Sequence, residues 1–219
     1  MASIDYVQPF FAATPRQIIA LTAYAENRSG GIQGMQSVIN VIQNRCLQPK
    51  TFGDNDIYAA TGSVYHAVCL KAYQFSSFNL GDPNRAILLR LVQPGAYDAQ
   101  LPNDLSLRTA DALVGQLMAG TLTEITGGSN YYFALSIKPP IWAATMTYRT
   151  TIQGQAFYAA APYISQNPQS FIAPVNTEST NPLAPVTPNL IVPSTTANPQ
   201  ALAVSTAATT IKVLPLIVP

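Results

Sequence analysis

The feature that most restricts what this 219-residue chain can fold into is a change of building material near Tyr158. All 12 glycines lie before that point, whereas 10 of the 18 prolines lie after it. Beyond it, prolines recur at 162, 168, 174, 182, 185, 188, 193 and 199. Proline removes a backbone donor and biases the preceding residue away from helix, so this spacing forbids a helix of ordinary length. Residues 159–219 also carry just two charged side chains, Glu178 and Lys212. Disordered linkers usually combine high charge with few aliphatic residues. This segment instead ends in Leu202, Val204, Ile211, Val213, Leu214, Leu216, Ile217 and Val218, and an uncovered strand of that kind is an aggregation hazard. We therefore read 159–219 as an extended assembly strap that lies on, or adds strands to, a partner. A plain linker and a small autonomous β-structure are the alternatives.

Before the break the pattern is that of a packed domain. Residues 14–28 read as a helix, with Thr14 as N-cap, Pro15 at the first helical position and Ile18, Leu21, Thr22 and Ala25 at 3–4 spacing. The Ser29-Gly30-Gly31 stretch breaks it. A second helix is expected over 33–47, with Met35, Val38, Ile39 and Ile42 on one stripe, and the two should pack as a pair. A third is expected after Asp82-Pro83, using Ile87, Leu88 and Leu91 up to Pro94-Gly95. A fourth covers 106–119 with Ala110, Leu113, Val114 and Leu117 inward and Gly120 as its stop. Past Gly127-Gly128 the residues become aromatic and β-branched. Segments 130–135 and 150–159 read as short strands or extended loops, separated by Pro139-Pro140. The expected class is α+β: an N-terminal arm over 1–14, a mainly helical domain with a small β-element over 15–158, and the Pro-rich tail.

Composition excludes several kinds of function. Only 10% of residues are charged and the net charge is +1, against about 25% charged in an average soluble domain. The basic residues are scattered, so no face is dense enough to capture nucleic acid. No apolar run reaches the length of a membrane span, and the first residues lack the basic and apolar blocks of a secretory signal. Two cysteines, Cys46 and Cys69, and the lone His66 do not supply the soft ligands of a zinc site. The thiols are expected buried and free, with a disulfide as alternative, and His66 solvated or capped. Nucleotide-binding glycine motifs are missing. No metal or cofactor is expected.

Glutamate is scarce, occurring at 26, 124 and 178. Glu26 sits near the end of the first predicted helix, where helix and loop could wall a cleft. Its Ala and Tyr neighbours would desolvate the carboxyl and favour the protonated form that a general acid needs. The bland alternative is a surface residue, or one paired with Arg28 or Arg45.

The run Ala23-Tyr24-Ala25-Glu26-Asn27-Arg28, followed by Gly34-Met35-Gln36-Ser37-Val38-Ile39-Asn40-Val41-Ile42-Gln43-Asn44-Arg45, resembles the AEAR-x-E-x-x-x-G-x-x-AVA-x-VV-x-NR signature of SleB-type cell wall hydrolases. That family includes spore-cortex lytic enzymes and phage lysins. Further pieces follow in order: Val68-Cys69-Leu70, Tyr73-Gln74-Phe75-Ser76-Ser77-Phe78, Gly128-Ser129-Asn130-Tyr131-Tyr132-Phe133, Pro140-Ile141-Trp142 and a closing Thr151 to Tyr158. The resemblance implies a lysozyme-like, transglycosylase-related fold over 15–158 that acts on bacterial peptidoglycan, with Glu26 as the catalytic residue. It further implies substrate contacts from Gln74, Phe75, Ser76, Tyr131 and Tyr132, with core packing as the alternative, foremost for Phe75, Phe133 and Trp142, while Asn44 and Arg45 tie the second helix to nearby loops. Two departures stand out: Gln155 occupies the place of a usual histidine, and Gly30 that of a second acid.

Ordinary glycosidases pair two carboxylates, but no partner for Glu26 is announced among Asp54, Asp56, Asp82 and Asp111. Lytic transglycosylation needs one carboxyl group and is the reaction expected here. The uncharged strap suggests a lysin built into a phage virion, bound to other virion structural proteins through 159–219. A free lysin in the host cytoplasm, or an inactive lysin-like assembly subunit, is the alternative.

Overall fold

A computed structural model describes residues 4–160. The strap assigned to 159–219 therefore lies, apart from its first two residues, outside the described residues. The helices are α1 (Pro15–Asn27), α2 (Gly31–Cys46), α3 (Pro49–Phe52), α4 (Asn55–Thr61), α5 (Val64–Cys69), α6 (Pro83–Leu91), α7 (Ala96–Gln100) and α8 (Leu105–Met118). Short 3-10 turns include Asp5–Phe10, Arg28–Gly30, Ser76–Phe78 and Ile141–Thr145. Strands β1 (Tyr131–Ala134), β2 (Thr147–Ile152) and β3 (Gln155–Ala159) form an antiparallel sheet in the order β1-β3-β2. The mainly helical α+β class read from the sequence holds.

Helix α1 is the axis of the domain. Thr14 and Gln17 form a reciprocal capping box: the Gln17 amide donates to Thr14 Oγ1 at 3.2 Å and the Thr14 amide to Gln17 Oε1 at 2.9 Å. Every residue from Ile18 to Ala25 is buried, not only the one stripe that periodicity suggested, because α2, α5, α6 and α8 all pack around it. Thr22 survives in this apolar setting by donating its hydroxyl to the Ile18 carbonyl at 2.7 Å. Within the N-terminal arm, Val7 and Phe10 are fully buried in the core, and the Phe10 ring meets Phe78 edge-on at 5.0 Å. Their apolar side chains, set in a 3-10 turn, give that segment a reason to fold back.

Four of the expected helices are present with small shifts. The stretch between α2 and α6, too short in periodicity to show a pattern, holds α3, α4 and α5. Aspartates mark three starts: Asp54 accepts from the Asp56 and Ile57 amides, Asp82 from Asn84, and Asp104 from Ser106 and Leu107. Segment 150–159, read as short strands or extended loops, holds the end of β2, the turn and all of β3. Gln153 and Gly154 both take positive φ, +47° and +74°, as a two-residue type I′ turn demands. His66, expected to be solvated or capped, is 2% exposed and capped, with Nε2 2.9 Å from the Ala13 carbonyl, and burial lowers its pKa. Asp111 on α8 forms an ion pair with Arg16 at 2.7 Å and accepts from the Tyr97 hydroxyl at 3.0 Å. Both cysteines are buried and unbridged. Among the described residues no helix is long and apolar enough to cross a membrane, and no three His, Cys, Asp or Glu gather as metal ligands.

Candidate active site

Glu26 lies one residue before the end of α1 and is half-buried. Its carboxylate is gripped from two distant parts of the chain. The Ser77 amide donates to Oε1 at 3.0 Å, with the Ser76 hydroxyl at 3.5 Å from the same oxygen. The Tyr132 hydroxyl donates to Oε2 at 3.0 Å. The 76–78 turn can hold that aim because Phe75 and Phe78 pin it on either side, 1% and 2% exposed. Tyr132 is fixed by the sheet: its register partner on β3 is Phe157, and the two rings stack 5.7 Å apart. Burial pushes the Tyr132 phenol well above its ordinary value, and the Glu26 carboxylate adds to that shift. Tyr132 thus remains a proton-bearing donor throughout the neutral range.

Arg45 supports this arrangement from α2. It is 6% exposed, donates from Nε to the Asn130 carbonyl at 2.8 Å, and is stacked between Phe75 at 4.8 Å and Phe52 at 5.5 Å. Burial lowers its pKa, while Tyr132 and Glu26 are among the groups that oppose the shift. Asn44 donates to the Ser129 carbonyl at 2.9 Å. The pair therefore ties α2 to the segment before β1, as the sequence suggested. Neither Arg45 nor Arg28 is ion-paired with Glu26: Arg28 donates to Asn84 Oδ1 at 2.9 Å, and the ion pair given among the described residues is Arg16–Asp111.

A groove of about 340 Å³ adjoins Tyr132, walled by Arg45, Thr51, Phe52, Lys71, Tyr73, Gln74, Tyr131 and Trp142. Trp142 closes one side by resting on Tyr131 at 5.3 Å, Phe133 at 5.8 Å and Tyr158 at 5.7 Å. The wall thus mixes five aromatic rings with the polar or cationic Arg45, Thr51, Lys71 and Gln74, groups that can stack on and hydrogen-bond to sugar rings.

A comparison with protein families matches residues 29–158 to the Cell Wall Hydrolase model. The chain belongs to this cell wall hydrolase family. Membership points to peptidoglycan as the substrate, and the match ends at Tyr158, where the composition breaks. Glu26 stands just ahead of the matched residues, joined to them by its bonds to Ser77 and Tyr132. No curated protein and no solved structure matches the chain.

Of the residues singled out in this hydrolase from its sequence, Glu26, Ser76 and Tyr132 converge through hydrogen bonds, and Gln74 and Tyr131 line the groove. Gln74 is tethered as well, its Nε2 donating to the Phe52 carbonyl. Phase of burial separates Phe75 from them: at 1% exposure it packs under Arg45 and cannot meet a ligand. Sequence reading missed the Ser77 amide, a backbone group that no side-chain motif advertises. Tyr73 was quoted within a motif without a role; it is 90% exposed at φ +63°, an unusual backbone state for a tyrosine at the rim of a groove. Gln155, in the place of the usual histidine, accepts at Oε1 from Asn27 Nδ2 at 2.9 Å.

Proposed function

We propose that the protein cleaves the glycan strands of peptidoglycan at the β-1,4 bond between N-acetylmuramic acid and N-acetylglucosamine, as a lytic transglycosylase in which Glu26 is the catalytic acid and base. One observation carries this reading: a single carboxylate, held at both oxygens, whose donor Tyr132 lines a groove of aromatic and polar side chains. The protonated carboxyl of Glu26 gives its proton to the bridging oxygen, and the bond from that oxygen to the muramoyl C1 breaks. The muramoyl C6 hydroxyl then closes on C1, and the Glu26 carboxylate takes the hydroxyl proton, leaving a 1,6-anhydro end. Tyr132 and the Ser77 amide orient the carboxylate in both steps.

Five of the other acids among the described residues already have structural duties, which fits a reaction that uses one carboxyl group. Asp54, Asp82 and Asp104 cap helices, Asp111 pairs with Arg16, and Glu124 binds the Thr126 and Gly128 amides. A hydrolytic pair would need a free partner across the sugar. Glu26→Gln should abolish clearing of purified sacculi while wild type clears them, and mass spectrometry of the products should find anhydro ends. Reducing ends would replace transglycosylation by hydrolysis, and equal clearing by both proteins would remove Glu26 from the chemistry.

We place the enzyme in a phage particle, held to other virion proteins by 159–219 and opening the wall locally during genome delivery. The support is compositional: a segment with two charges and many aliphatic residues is suited to lie on protein. Detection in purified particles, with loss of incorporation on deleting 161–219, tests it. The departures at Gly30 and Gln155 favour a second reading, an assembly subunit with a silent lysin-like domain, which would be supported if wild type leaves sacculi intact.

A further inference from the structure

Asn27 follows Glu26 directly, ends α1 and is 6% exposed. Its φ of −152° has left the helical region, so the helix ladder alone does not fix the chain direction at this point. At this point the Asn27 side chain donates a hydrogen bond from Nδ2 to Gln155 Oε1 on the central strand of the sheet, 2.9 Å long and spanning 128 positions in sequence. The surroundings leave room for this side chain and little else. A Cβ at Gly30 would come within 2.6 Å of Asn27 Oδ1, and one at Gly34 within 2.8 Å of its Nδ2. Both glycines therefore keep open the space that the Asn27 amide fills.

On β3, Gln155 and Phe157 share a face by the two-residue period, and Phe157 stacks on Tyr132, the donor to Glu26. One face of the sheet thus grips two consecutive residues of α1, the carboxylate of Glu26 through Tyr132 and the amide of Asn27 through Gln155. We propose that Asn27 and Gln155 are positioning residues that aim Glu26, a role that rests on Glu26 being the acid and base proposed above. A group that donates one proton and takes up another must be held to within about 0.5 Å of its productive place. The hydrogen bond from Asn27 to the Gln155 side-chain oxygen supplies that hold.

The test uses the full-length protein and soluble glycan fragments of peptidoglycan. Gln155→Met keeps the side-chain length and removes the acceptor, Gln155→Glu keeps an acceptor oxygen, and Asn27→Ala removes the donor. Gln155→Met and Asn27→Ala should each lower kcat about tenfold with KM held within about twofold, and the double variant should be no worse than the poorer single. Gln155→Glu should recover to within about threefold of wild type. Hydrogen exchange supplies a readout that needs no activity: in Gln155→Met the Ser77 amide, which donates to Glu26, should exchange about tenfold faster while core amides such as those of Leu21 and Ile39 are unchanged. An unchanged kcat, a rise in KM alone, or exchange accelerated equally through the core would overturn the proposal. Inactive wild type with a responsive Ser77 amide would sink the proposed reaction but not the positioning; active wild type with an unresponsive Ser77 amide would sink the positioning alone.

Discussion

The two ends of α1 are built on opposite principles. Its start is secured mainly by near neighbours: Thr14, Pro15 and Gln17 satisfy the first turn within four residues. Its end is secured by residues far along the chain, with partners of Glu26 and Asn27 lying 51, 106 and 128 positions away. Local chemistry decides where the helix begins, and tertiary contacts decide what its last turn can do. Stability should therefore be the main loss when the first end is damaged, and catalysis when the second is.

The sharpest break of that contrast is Glu26→Gln, which should cost at least about 100-fold in rate on sacculi, the scale of a lost general acid, with a melting temperature close to wild type. Tyr132→Phe comes next: it keeps the stack on Phe157 and removes the donor to Glu26, so kcat should fall about tenfold while folding is retained. At the other end, Thr14→Ala should cost about 1 kcal/mol in urea unfolding and leave kcat within experimental scatter. The smallest effect concerns His66, which meets the Ala13 carbonyl just before the cap. Its pKa is lowered in the folded state from the ordinary 6.5. Above 6.5 both states are neutral; below it the unfolded chain takes up a proton that the native protein resists, so stability falls as pH drops. Urea midpoints compared at pH 7.5 and 5.5 should therefore shift less in His66→Gln than in wild type.

The same division explains what could be read from the residues alone. The start of α1, the cap at Asp82 and the stripe of α8 depend on groups three or four positions apart, and they were legible. The hairpin was blurred because its turn is Gln-Gly, and nothing in glutamine's chemistry favours the left-handed state that Gln153 adopts. Glu26 could be nominated through family resemblance, not through periodicity, which left it a plain helix residue. The Ser77 amide and the Asn27–Gln155 bond had no local signature, since each exists only once the sheet is laid beside α1. Phe75, 1% exposed, takes the core-packing alternative, and a motif records that a residue belongs to a site, not which way it points.

The long separation between Glu26 and its partners bears also on the time course of synthesis. A ribosome delivers α1 early, yet Tyr132 and Gln155 emerge more than a hundred residues later. A chain interrupted anywhere before the hairpin closes carries the glutamate without the groups that aim it. On the proposed role of Glu26, products truncated before the hairpin should leave sacculi intact.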